Sequence, residues 1–92
     1  MSKLIVNADD FGLHSAVNAA VIDGHRTGII TSTSLLAGGE AFSEAISMAK
    51  NNPKLGIGVH IALVGGLKPV CNPAEVPSLL TSEGVFPETY ID

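Results

Sequence analysis

Over the first two thirds of the chain the apolar positions alternate between strand-like and helical spacing. Leu4-Ile5-Val6 is a short continuous apolar run that leads directly into Asn7-Ala8-Asp9-Asp10 and then Phe11-Gly12. A run apolar on both sides predicts a strand buried on both faces. From Ser15 the period changes: Ala16, Val17, Ala20 and Val21 recur at helical spacing, with Ser15, Asn18 and His25 on the opposite face and Gly24 with Gly28 at the end. Ile29-Ile30 then opens a β-branched stretch through Thr31-Ser32-Thr33-Ser34 to Leu35-Leu36-Ala37, closed by Gly38-Gly39, which predicts a second strand. Ala41, Phe42, Ala45, Ile46 and Ala49 predict a second helix, stopped by Asn51-Asn52-Pro53. A third strand is predicted from about Leu55 to Ile61, with Leu55, Ile57, Val59 and Ile61 on one side and Gly56, Gly58 and His60 on the other.

Strand, helix, strand, helix, strand with short connections predicts an α/β fold built from right-handed βαβ units on a parallel sheet. The remainder differs in kind. Pro69, Pro73, Pro77 and Pro87 punctuate it, and only Leu79-Leu80 forms an apolar cluster, so the chain divides into a βαβαβ segment over 1–64 and a loop or insertion over 65–92. Three strands and two helices leave sheet edges open and a face uncovered, which predicts a partial domain. Such edges also predict association, as a homodimer or with another chain.

Composition narrows the partners. Five Lys plus Arg against nine Asp plus Glu give a net charge of −4, so there is no basic field for nucleic acid. Cys71 is the single cysteine, no basic-plus-apolar leader precedes the first strand, and no apolar run reaches the ~18–20 residues of a membrane span. The expected setting is cytoplasmic, without a membrane partner.

Candidate chemistry gathers at the strand ends. Asp9-Asp10 follows the first strand and His60 ends the third, on the rim where parallel α/β sheets and barrels place their sites. With a strand between them, the two ends lie roughly 10 Å apart, a gap that an Asp and a His can bridge around a shared metal with ~2.0–2.2 Å bonds. Adjacent carboxylates repel, which invites a divalent cation or two roles, one acid as ligand and the other as base. An Asp pair here also serves as a turn and helix cap, and a strand-end His as a backbone hydrogen-bond partner. Gly56 and Gly58 leave the His60 side bare, which suits a ligand cavity better than a packing layer. His14 and Thr33 are candidate substrate contacts, with capping for His14 and plain strand formation for Thr33 as the structural readings.

Three motifs in order carry a resemblance: Asn7-Ala8-Asp9-Asp10-Phe11-Gly12, Thr31-Ser32-Thr33-Ser34-Leu35 and Gly58-Val59-His60-Ile61-Ala62-Leu63. Together they resemble the YdjC-like carbohydrate deacetylases, the family of chitooligosaccharide deacetylases. Val76-Pro77-Ser78-Leu79-Leu80 and Gly84-Val85-Phe86 resemble that family's insertion after the third strand. The resemblance implies the N-terminal third of a distorted (β/α) TIM-like barrel that hydrolyses the N-acetyl group of small acetylated oligosaccharides with a divalent metal. It implies Asp10 and His60 as metal ligands and Asp9 as catalytic general base, with a further histidine ligand downstream of this chain. Mg²⁺ is the metal the family implies, while the mixed oxygen and nitrogen donors also suit Zn²⁺, Co²⁺ or Mn²⁺. With two ligands, the 92 residues are expected to bind metal weakly and to be inactive alone.

Two other functions fit the pattern less well. Paired acids after a first strand also hold Mg²⁺ in phosphoacceptor signalling domains, but His60 stands where the phosphoacceptor Asp is needed, and no Asp lies between Asp23 and Asp92. A short non-catalytic binding or assembly module with a degenerate site is the other alternative.

Overall fold

A computed structural model describes residues 2–90 of the chain. The chain separates into two compact units, Met1–His60 and Ile61–Asp92. In the first unit β1 (Asn7–Phe11), α1 (Ser15–Thr27), β2 (Ser32–Leu36), α2 (Phe42–Lys50) and β3 (Gly56–His60) follow one another. The three strands form one parallel sheet in the order β1-β2-β3. This sequential order differs from the 2-1-3 order of doubly wound signalling domains, which removes the phosphoacceptor alternative on topology.

The helices pack on the sheet through one core of Phe11, Val21, Ile22, Ala45 and Leu55, flanked by Ala8, Val17, Ile30, Leu35, Met48 and Ala49. Both crossovers therefore share a face. The opposite face carries Asn7, Ser32, Ser34, Gly56 and Gly58 side by side, since Asn7 pairs with Ser32, Ser32 with Gly56 and Ser34 with Gly58. A Cβ added at Gly58 would meet nothing within 4 Å.

Three local readings change. The first strand begins at Asn7 rather than Leu4, because its ladder starts where the Val6 carbonyl accepts from the Thr31 and Ser32 amides at 3.0 and 3.2 Å. Leu4 and Ile5 lie outside that ladder and are exposed, so they are not a strand buried on both faces. Gly24 does not end α1 but lies inside it: the Ile30 side chain packs where its Cβ would stand, 2.5 Å from Cδ1, and Gly28 forms the cap. Asn18, placed by periodicity on the polar face of α1, is fully buried.

The second unit holds two single-turn 3-10 helices, Pro73–Glu75 and Pro77–Leu79. Asn72 caps the first by accepting from the Ala74 amide at 3.0 Å. Long-range backbone bonds from Gly65 N to Pro87 O and from Phe86 N to Leu67 O, each 2.8 Å, close the segment on itself. The proline-rich stretch is thus an ordered segment.

Candidate functional site

Regular alternation along β1 would put Asn7, Asp9 and Phe11 on one face and Ala8 and Asp10 on the other. The strand does not follow it. From the Ala8–Thr33 pair to the Phe11–Leu35 pair, β1 advances three residues and β2 two, so one extra residue is accommodated at Asp9-Asp10. Asp10 takes φ +67°, a left-handed conformation that costs a non-glycine residue about 1–2 kcal/mol. The bulge exchanges the two side chains across the sheet: Phe11 enters the core with no exposure, and Asp10 is turned toward β3.

On β3 it meets His60. Asp10 Oδ1 lies 3.3 Å from His60 Nδ1, and that nitrogen is buried and has no hydrogen-bond partner. Two donors bound to one cation at ~2.0–2.2 Å and tetrahedral to octahedral angles stand about 3.0–3.5 Å apart. The pair therefore has the spacing of neighbouring ligands, and an orphaned buried imidazole nitrogen is what a metal would satisfy. Among the described residues no group of three or more His, Cys, Asp or Glu gathers to hold an ion.

Asp9 is positioned separately. Its Oδ1 accepts from Asn7 Nδ2 at 3.2 Å, and the same amide nitrogen donates to Ser34 Oγ at 3.1 Å. Ser32 Oγ donates to Asn7 Oδ1 at 2.8 Å, so a chain of side-chain bonds runs across β1 and β2 on the open face. Among the described residues no lysine or arginine forms an ion pair with Asp9 or Asp10, and the ionisable partner of Asp10 is His60.

The two candidate substrate contacts are both engaged by the backbone. His14 is the N-cap of α1, its Nδ1 accepting from the Ala16 amide at 3.0 Å. Thr33 is fully buried, with its hydroxyl donating to the Ala8 carbonyl at 2.7 Å, so it is a core residue and not a surface for substrate. The hydroxyls on the open face are those of Ser32 and Ser34. Sequence reading missed Asn18, although its position three and four residues before Val21 and Ile22 puts it in their stripe.

These features define a class: a parallel α/β sheet whose carboxyl edge gathers two acids and an imidazole over an open polar face. The chain belongs to the YdjC-like protein family, whose profile matches residues 3–92. It is 46% identical over 84 residues to a carbohydrate deacetylase of Brevibacillus brevis, a match covering 91% of this chain and 33% of that protein. It is 44% identical over 83 residues to a chitooligosaccharide deacetylase of Salmonella paratyphi B, covering 90% and 31%. A crystal structure of a proposed cellobiose-phosphate cleavage protein from Enterococcus faecalis V583 superposes with a TM-score of 0.88 at 40% identity, over 95% of this chain and 34% of that one. The chain spans about a third of the length of the curated relatives it matches. No helix of the described residues is long and apolar enough to cross a membrane.

Proposed function

We propose that this chain forms the Asp9, Asp10 and His60 part of a carbohydrate deacetylase site that hydrolyses the N-acetyl group of small oligosaccharides of the chitooligosaccharide type. The observation that carries the reading is the 3.3 Å approach of Asp10 to an otherwise unpartnered His60 Nδ1. Asp10 and His60 would hold a divalent cation, Mg²⁺ by family and Zn²⁺, Co²⁺ or Mn²⁺ by donor type. When bound, the metal polarises the acetamide carbonyl and acidifies water, which remedies both a poor electrophile and a poor nucleophile.

Asp9 is the general base. Its carboxylate accepts a proton as the water oxygen bonds to the carbonyl carbon; the carbon–nitrogen bond then breaks as the amine takes up that proton, and acetate and the free amino sugar leave. Asn7 holds the base by donating to Oδ1, which leaves Oδ2 for the water. The open lane at Gly58 provides room for a sugar ring, and Ser32 and Ser34 line it with hydroxyls. The name of the Salmonella paratyphi B relative, a chitooligosaccharide deacetylase, supports a short N-acetylated oligosaccharide.

The sequential strand order with both helices on one face is that of consecutive (β/α) barrel units, which supports a TIM-like barrel as the complete fold. A catalytic metal usually has three protein ligands, so two predict weak metal binding and no turnover for the 92 residues alone. The test is a chimera in which this chain replaces the matching third of the Brevibacillus brevis relative. Acetate release from diacetylchitobiose is expected, with Asp9→Asn slowing it about 10²–10⁴-fold while bound metal is retained. A folded, metal-loaded chimera that releases no acetate, or an Asp9→Asn chimera of full activity, overturns the reading.

A further inference from the structure

The left-handed bulge at Asp10 needs a support, and the structure provides one from the interior. Leu13 N donates to Asp10 O at 3.0 Å, closing a turn in which Gly12, at φ +100°, takes the position that demands a positive φ. Both backbone groups of Gly12 are then engaged: its amide donates to Asn18 Oδ1 at 2.7 Å, and its carbonyl accepts from Ala41 N at 2.9 Å. Asn18 closes the ring, its Nδ2 donating to Ala41 O at 3.0 Å and to Glu44 Oε1 at 3.1 Å. The amide is fully buried, so its bond to Gly12 is made out of water.

We infer that Asn18 is the positioning residue of the site: by gripping Gly12 and the start of α2 it holds the turn that keeps Asp10 in its left-handed conformation and aimed at His60. The inference rests on the role assigned above to Asp10 and His60, and it extends that site to a side chain that touches neither. A residue that only stabilised α1 would not need to bond the turn. The strain at Asp10 makes the support specific, because a left-handed Asp relaxes toward extended backbone once the turn is released.

The test separates position from stability in the chimera with the Brevibacillus brevis relative, where the rest of the site is present, by nuclear magnetic resonance without metal and by calorimetric titration with Mn²⁺. Asn18→Ala is expected to lower Gly12 amide exchange protection and to move the Asp10 Cα and Cβ shifts out of the left-handed range. It is also expected to weaken Mn²⁺ binding about 10–100-fold, the usual loss when an outer support of a ligand is removed. Ile22→Val, a core change that removes none of the turn's hydrogen bonds, is expected to lower stability while leaving the Asp10 shifts and Mn²⁺ affinity alone. A folded Asn18→Ala chain with unchanged Asp10 shifts overturns the inference. If Asn18→Ala does not fold, Asn18→Ser decides, since a single hydroxyl one bond nearer the backbone cannot make all three bonds of Asn18 to Gly12, Ala41 and Glu44. It should move the Asp10 shifts, and a folded Asn18→Ser protein with unchanged Asp10 shifts overturns the inference. Asp10→Asn distinguishes the two readings: wild-type affinity in that variant sinks the metal role of Asp10, whereas the Asp10 shifts in Asn18→Ala still judge Asn18.

Discussion

The two faces of the three-stranded sheet are built by opposite rules. On the helix side, Phe11, Leu55 and the buried positions of α1 and α2 exclude water, and Thr33 joins them with its hydroxyl satisfied by the Ala8 carbonyl. On the other side Asn7, Ser32 and Ser34 bond one another in the open, and Gly56 and Gly58 offer no side chain. The covered face holds the core, and the open one holds the groups proposed for chemistry. The bulge at Asp9-Asp10 is where the two meet, because one extra residue sends Phe11 inward and Asp10 outward.

The largest effect belongs to the covered face. Phe11→Ala is expected to cost about 3–5 kcal/mol, enough to unfold so small a chain, and urea titration followed by circular dichroism reads it directly. Survival of a cooperative transition would mean that the face is less of a core than its burial implies. Next comes Asp10→Ala, expected to weaken divalent-cation binding by on the order of 100-fold, or ~2.7 kcal/mol, with no loss in the urea midpoint. A fall in stability instead would place Asp10 among the residues that hold the fold.

Asp10→Gly sharpens the same contrast. Removing the left-handed penalty at φ +67° should stabilise the chain, offset in part by glycine's backbone entropy, for a net gain of about 0.5–1 kcal/mol while cation affinity is lost. Thermal unfolding checks the sign, and a destabilised variant would show that the Asp10 backbone is not strained. The smallest change is expected at Gly58→Ala, within about 0.5 kcal/mol, because the added methyl meets no atom. In the chimera it should raise KM for diacetylchitobiose without changing kcat if the open lane receives the sugar.

The parallel βαβαβ order and both helices could be read from the periods of Ala, Val, Ile and Leu, since amphipathic spacing directly reflects which side of an element is buried. That Asp9-Asp10 and His60 share one edge could be read from strand ends alone, because parallel strands bring their carboxyl ends to one edge whatever their loops do. The strand start was misread at Leu4-Ile5-Val6, where hydrophobicity suggested burial that the β2 ladder, beginning at Ser32, does not provide. Asn18 was placed on the wrong face, and the burial of Thr33 was not legible, for a related reason. A polar residue in a buried stripe is invisible to a hydrophobic pattern, since its burial depends on partners such as the Ala8 carbonyl and the Gly12 amide that are remote in sequence.

The order of acids, glycines and histidine along the chain was sufficient to specify the elements, their parallel arrangement and the edge on which the reactive groups assemble, because these follow from local period and chain direction. Which face each acid occupies was settled only in three dimensions. A single inserted residue in β1 reverses the alternation beyond it, and whether the chain tolerates that reversal depends on a left-handed Asp10, on Gly12, and on a buried Asn18 able to hold them.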